Sequence, residues 1–237
     1  MLFDGSKVLI IAAHPDDEVL GCGGVLAKQK QKTEFYCLFL GEGSSARFPR
    51  DQLKSVECLE AIDYRNDCSR KALSFLGVTN YQFLNYRCGA LDNVPIIELN
   101  HHIEKIINSF RPDIVITHSN FDCNNDHRIV SRAVDMATRP KREGSVLQLL
   151  HYEVQSTSEL NYSSPFAPNV FLELSQEWLD MKIEAMRLYD RESQLDDFSR
   201  SPSSLASLAR YRGIQSGYRY AEAFKLVRNY LPAYYSK

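Results

Sequence analysis

The 237-residue sequence predicts an α/β fold, a Rossmann-like, doubly wound and mostly parallel sheet with helices on both faces. Three observations lead there. Apolar runs of strand length recur along the chain, stretches with helical spacing separate them, and polar residues suited to chemistry crowd immediately after two of the runs.

The elements follow in order. Lys7 to Ala13 reads as a buried strand, because its apolar residues run on without the alternation of a half-exposed one. A helix follows from about Glu18 to Gln31. Glu34 to Leu40 is a second strand, closed by the turn-rich Gly41-Glu42-Gly43-Ser44-Ser45. Helical spacing covers Ser55 to Leu76, and Gly77 stands where a C-terminal cap belongs. Tyr81 to Leu84 is a short third strand, and Ile96 to Phe110 a helix that Pro112 prevents from continuing. Asp113 to Thr117 is a β-branched fourth strand, a helix starts at about His127, and Val146 to Val154 is a fifth strand. Beyond Gln155 the pattern is less regular. Ser156 to Pro168 reads as a loop, Phe171 to Leu174 as a strand and Gln176 to Tyr189 as an amphipathic helix. Ser203 to Tyr211 and Gly217 to Asn229 read as a last pair of helices. No repeat and no long Pro/Gly/Ser linker divides the chain, so residues 1–237 read as one domain. Its core covers about 1–154 and a C-terminal elaboration about 155–237.

A net charge of −2 argues against nucleic acid or an anionic membrane as the main partner. The apolar run Val8 to Ala13 is too short for a signal peptide, and Asp4 sits where a basic region belongs. No stretch approaches the roughly 18 apolar residues of a membrane span. The six cysteines are scattered without a CxxC pair, which fits reduced thiols in a cytoplasmic protein. Composition leaves open whether the chain forms a homo-oligomer.

Two clusters carry the chemistry. His14-Pro15-Asp16-Asp17-Glu18 follows the first predicted strand, and the run from His118 to His127 (HSNFDCNNDH) follows the fourth. Such strands are commonly neighbours at the switch point of a doubly wound sheet, where ligands bind at the carboxyl ends. His14, Asp17 and His127 can then hold one divalent cation on one side and leave positions open. That composition favours a catalytic zinc, with Fe2+ or another divalent metal as the alternative. Asp126 suits either orientation of a ligand or the capping of the following helix. Gly21, Gly23 and Gly24 do not have dinucleotide-loop spacing, and Asp16 and Asp17 would repel a pyrophosphate there. These glycines instead allow close packing of the first helix.

With AHPDDEVLGCGG near the start, DCNNDHR after the fourth strand, and Arg212-Gly213 and Tyr220-Ala221-Glu222-Ala223-Phe224 near the end, the sequence resembles the PIG-L/LmbE-like zinc-dependent N-deacetylases. The resemblance implies hydrolysis of the N-acetyl group of an amino sugar, as a small molecule or linked to a glycan. It places zinc ligands on His14, Asp17 and His127 and the general base on Asp16. It also matches Arg65 to a substrate-binding arginine and Asp92 to an acceptor of a sugar hydroxyl. One position departs from the pattern. Many members carry a histidine three residues before the ligand histidine, supporting the oxyanion and protonating the amine, and here that place is Asn124. Asparagine donates a hydrogen bond but delivers no proton at neutral pH, so the proton falls to Asp16 or to another group such as His118. Two other readings stand beside this one, a metal-dependent amidase for a different N-acyl substrate and a catalytically silent carbohydrate-binding relative. A base beside a ligand set argues against the silent relative.

Overall fold

The computed structural model describes residues 3–140, 146–193, 195 and 198–231. Seven strands form one sheet: β1 (Lys7–Ala12), β2 (Glu34–Gly41), β3 (Asn80–Tyr86), β4 (Ile114–His118), β5 (Gln148–Tyr152), β6 (Val170–Leu174) and β7 (Tyr220–Asn229). Their order is β3-β2-β1-β4-β5-β7-β6. The first five are parallel, and β7 runs antiparallel between β5 and β6. The helices are α1 (Asp17–Gln29), α2 (Val56–Leu76), α3 (Ile96–Phe110), α4 (Asn125–Ala137), α5 (Gln176–Arg187) and α6 (Pro202–Ser216). The α/β class is the one expected from sequence.

Helices on both faces explain the unbroken apolar run of β1. Val8, Ile10 and Ala12 pack toward α1, α2 and α5, among Val19, Leu26, Leu73 and Met186. Leu9 and Ile11 pack toward α3 and α4, among Leu99, Ile103, Val130 and Val134. A strand buried on both faces has no use for polar alternation. Gly77 caps α2 in the left-handed region, with φ 81°.

The expected helix over Gly217 to Asn229 is corrected: Tyr220–Asn229 is strand β7, and α6 ends at Ser216. Its alanines, glutamate and lysine favour helix locally. The gap between β5 and β6 offers hydrogen-bond ladders on both edges, and small buried Ala221 and Ala223 suit it. Glu222 is the strand's anchor. Its carboxylate accepts from the backbone N–H groups of Gly24 (3.0 Å) and Val25 (2.7 Å) and from Lys182 Nζ (2.6 Å), tying β7 to α1 and α5.

Two local features position the site. Val8–Ile11 pairs with Ile114–Thr117, so β1 and β4 end side by side where the strand order reverses. Gly21 lets α1 lie against β5, since a Cβ there would sit 2.2 Å from the ring of Tyr152. Among the described residues no helix is long and apolar enough to cross a membrane.

Candidate active site

His14 follows β1, and Pro15 and Asp16 turn the chain into α1. Asp16 is the N-terminal cap residue of α1, in the left-handed region with φ 113°, and its carbonyl accepts from Val19 and Leu20. This turn aims the His14 and Asp17 side chains at one point, and the His14 N–H donates to Asp17 Oδ2 (2.9 Å). His127 arrives from the first turn of α4, beyond β4. Asp17 Oδ2 lies 3.6 Å from His14 Nδ1 and 3.5 Å from His127 Nε2. One ligand atom from each of His14, Asp17 and His127 lies within 4.8 Å of the others, and all three residues are buried.

Each imidazole has a carboxylate behind it. His14 Nε2 lies 3.0 Å from Asp126 Oδ2, and His127 Nδ1 lies 3.2 Å from Asp122 Oδ1. Such partners fix ring orientation and tautomer, leaving the other nitrogens toward Asp17. Asp126 also accepts from the N–H groups of Gly89 (2.6 Å) and Leu91 (3.2 Å), so it holds the segment after β3 against the site. The capping task weighed for Asp126 belongs to Asn124, whose Oδ1 accepts from the Asp126 N–H (2.9 Å). Asp122 in turn accepts from Ser158 Oγ (2.6 Å) and Thr157 Oγ1 (3.0 Å) and so fastens the loop after β5.

His118 is fully buried, its ring stacked 3.9 Å from that of His127. Its Nε2 lies 2.8 Å from Ala13 N and 3.0 Å from the Tyr152 hydroxyl. Burial, with the neighbouring His127 and His14 charges, holds its pKa well below the ordinary histidine value, so it stays neutral as a wall of the site. That placement does not suit a proton donor. His14 behaves oppositely. Burial pulls its pKa down, but the hydrogen bonds with Asp126 and Cys88 and the nearby negative charge outweigh it and lift the value to about 10.

The crowding of three acids in sequence resolves into three separate states. Glu18 is buried under Tyr189 and Ser69, and burial lifts its pKa to about 8, so it holds its proton at neutral pH. Asp16 Oδ2 meets two guanidiniums, Arg65 Nη2 (3.0 Å) and Arg200 Nη1 (3.1 Å). Asp17 faces the two imidazoles. Burial raises its carboxyl pKa and the His127 and His14 charges oppose the rise. A buried carboxylate converging with two carboxylate-backed imidazoles is a donor set that fits a divalent cation.

Arg65 lies beside Asp16 and is buried. Besides Asp16, its guanidinium donates to the carbonyls of Pro15 and Gly43 and to Glu192. Asp92 is exposed in the turn Leu91–Asn93, next to the Leu91 N–H that reaches Asp126. Asn124 is half-buried at the start of α4, its side-chain oxygen committed to the helix end, which leaves its amide nitrogen as donor.

Sequence reading passed over Asp122, Tyr152, Glu192 and Arg200. Asp122 carried a signal, an acid five residues before His127 in the same polar run. Arg200 and Glu192 carried none, because only tertiary structure brings Arg200 to Asp16 and Glu192 to the arginines around it.

Comparison with known proteins places the chain in a family. Residues 9–138 match the PIG-L family, described as GlcNAc-PI de-N-acetylase. A diacetylchitobiose deacetylase of Thermococcus kodakarensis is 26% identical over 94% of this chain and 84% of its own length. An uncharacterized deacetylase of Escherichia coli, YaiS, is 31% identical over 76% of this chain and 88% of its own. The crystal structure of 4-carboxy-2-hydroxymuconate hydratase from Pseudomonas putida superposes with a TM-score of 0.72 at 17% identity. It covers 98% of this chain and 100% of that one. The fold alone therefore does not select the reaction, and the sequence match does the sorting. The chain belongs to the PIG-L, GlcNAc-PI de-N-acetylase, family.

Proposed function

We propose that the protein is a metal-dependent N-deacetylase that hydrolyses the N-acetyl group of an amino sugar or amino-sugar conjugate. Zinc is the ion proposed, held by His14, Asp17 and His127. The observation that carries this reading is the adjacency of two unlike carboxylates. Asp17 converges with two imidazoles, while Asp16, the next residue back, turns to two arginines and keeps Oδ1 buried with no partner among the described residues. The deacetylase names of the relatives supply the bond and the substrate class.

A bound divalent cation supplies Lewis-acid polarisation of the acyl carbonyl and acidification of the attacking water. The remaining tasks fall to the chain. Asp16, through Oδ1, takes the proton of the water that attacks the carbonyl carbon. The Asn124 amide nitrogen donates to the oxyanion that develops on the carbonyl oxygen. As the C–N bond breaks, Asp16 returns its proton to the departing amine, so one carboxylate serves both transfers. His14 and His127 are held in register by Asp126 and Asp122, and His118 excludes water behind them. To Asp92, exposed in the turn Leu91–Asn93, we assign acceptance from a sugar hydroxyl. For Arg65 we propose a share in fixing Asp16 beside any contact with substrate.

Two neighbouring substitutions test the assignment. Asp16→Asn is expected to keep its metal and lose roughly a hundredfold or more in acetate release from N-acetylated amino sugars. Asp17→Asn is expected to lose metal first. The reverse pattern would exchange the two roles, and a wild-type protein inert toward every N-acetyl amino sugar offered would defeat the reading.

A further inference from the structure

Asp16 is gripped on one oxygen only. Oδ2 meets Arg65 and Arg200, while Oδ1 is buried with no partner among the described residues. The two arginines have different standing. Arg65 is buried on α2, fixed by two backbone carbonyls and Glu192. Arg200 precedes Ser201, the N-terminal cap of α6, and keeps its side chain 21% exposed. Its Nη1 also lies 3.1 Å from Glu192 Oε2, and its Nε donates to Ser156 Oγ (3.1 Å). Glu192 is buried, accepts from Arg47, Arg65 and Arg200, and balances guanidiniums that would otherwise face one another.

The backbone adds an independent observation. Among the described residues five that are not glycine have positive φ, and three of them are Asp16 (113°), Ser156 (108°) and Arg200 (74°). These three form one hydrogen-bonded chain, Ser156 to Arg200 to Asp16. Such conformations cost free energy in side-chain-bearing residues and persist where the surroundings over-determine them. Three such residues from distant segments are thus joined by two hydrogen bonds, one of them on the residue read as the base.

We propose that Arg200 is a positioning residue for Asp16. With Arg65 it clamps Oδ2, so that Oδ1 alone is presented for proton transfer. The base is thereby set in place only when the start of α6 and the Ser156 turn after β5 are docked. This rests on Asp16 being the base of the proposed deacetylation. Two donors from separate segments fix a carboxylate that one leaves free to swing, and small displacements of a catalytic group are costly.

The test uses the full-length, metal-loaded protein and a double-mutant cycle. Arg200→Ala is expected to lower kcat by roughly a hundredfold, with KM and metal content unchanged. Added methylguanidinium is expected to restore part of the loss, and Arg200→Lys to retain more activity than Arg200→Ala. In an Asp16→Asn background, Arg200→Ala is expected to cost no further kcat and to lower Tm less than it does in the wild type. Unchanged kcat, a rise in KM alone, loss of metal, or equal Tm shifts in both backgrounds would each overturn the clamp. A wild type that releases no acetate defeats the deacetylase reading instead, and the melting cycle then decides whether Arg200 is coupled to Asp16.

Discussion

Nε2 of His14 lies 3.0 Å from Oδ2 of Asp126, and the same relation recurs 3.2 Å apart between His127 and Asp122. Both imidazoles of the proposed metal site are therefore aimed by carboxylates from outside it. Asp126→Ala or Asp122→Ala is expected to weaken metal affinity about 10–100-fold while leaving the three ligands in place. Competition with a chelator of known affinity reads this directly. Affinity equal to that of the wild type would show that the rings orient themselves.

Metal binding is expected to release protons. His14, lifted to about 10 in the metal-free site, holds a proton at neutral pH that a cation must displace. Affinity should then fall as pH falls. Calorimetry of zinc binding in buffers of different ionisation enthalpy should give about one proton released per ion near neutral pH. A binding heat independent of the buffer contradicts the protonated state assigned to His14.

Glu18 gives the fold a pH dependence of definite sign. Burial raises its pKa from 4.5 to about 8, against hydrogen bonds from Tyr189 and the Asp16 N–H that lower it. Between those values the folded chain holds a proton that the unfolded chain has given up. The contribution is fully present below the unfolded value and is lost as pH rises through the folded one, by a few kcal/mol at most. Glu18→Gln has no such proton to lose, so its stability should decline less across that window. Parallel denaturation profiles for the two proteins would contradict the assignment.

Asn124 caps α4 and is proposed as the oxyanion donor, and substitutions can separate the two tasks. As the cap of α4 its removal should cost about 0.5–2 kcal/mol of stability. As an oxyanion donor its removal should cost about 2.7–4 kcal/mol of transition-state stabilisation. Asn124→Asp keeps a capping oxygen and places a carboxylate where negative charge develops. It should therefore melt near the wild type and yet turn over more slowly than Asn124→Ala. Near-normal turnover in both variants would leave Asn124 a cap and nothing more.

The parallel half of the sheet was legible because buried strands write unbroken apolar runs, as in Val8 to Ala12, and because Gly77 and Pro112 mark where helices stop. Strand β7 was hidden, since Ala221, Glu222, Ala223 and Lys225 carry helical propensity and become a strand only between β5 and β6. The gathering of His14, Asp17 and His127 could be anticipated from two polar clusters after neighbouring strands. The surroundings of Asp16 could not. Arg65 and Arg200 meet it from 49 and 184 residues away in sequence, Glu192 in turn binds both arginines, and no local pattern records such a meeting.

The central claim is that His14, Asp17 and His127 hold a cation the reaction requires. Acetate release from N-acetylated amino sugars should therefore be followed through stripping of the metal and its stepwise return. The expected result is loss of activity on stripping and linear recovery that levels off at about one zinc per chain, with no recovery in His127→Ala. Full turnover by thoroughly metal-free protein, or recovery in His127→Ala at the same metal concentration, would contradict it.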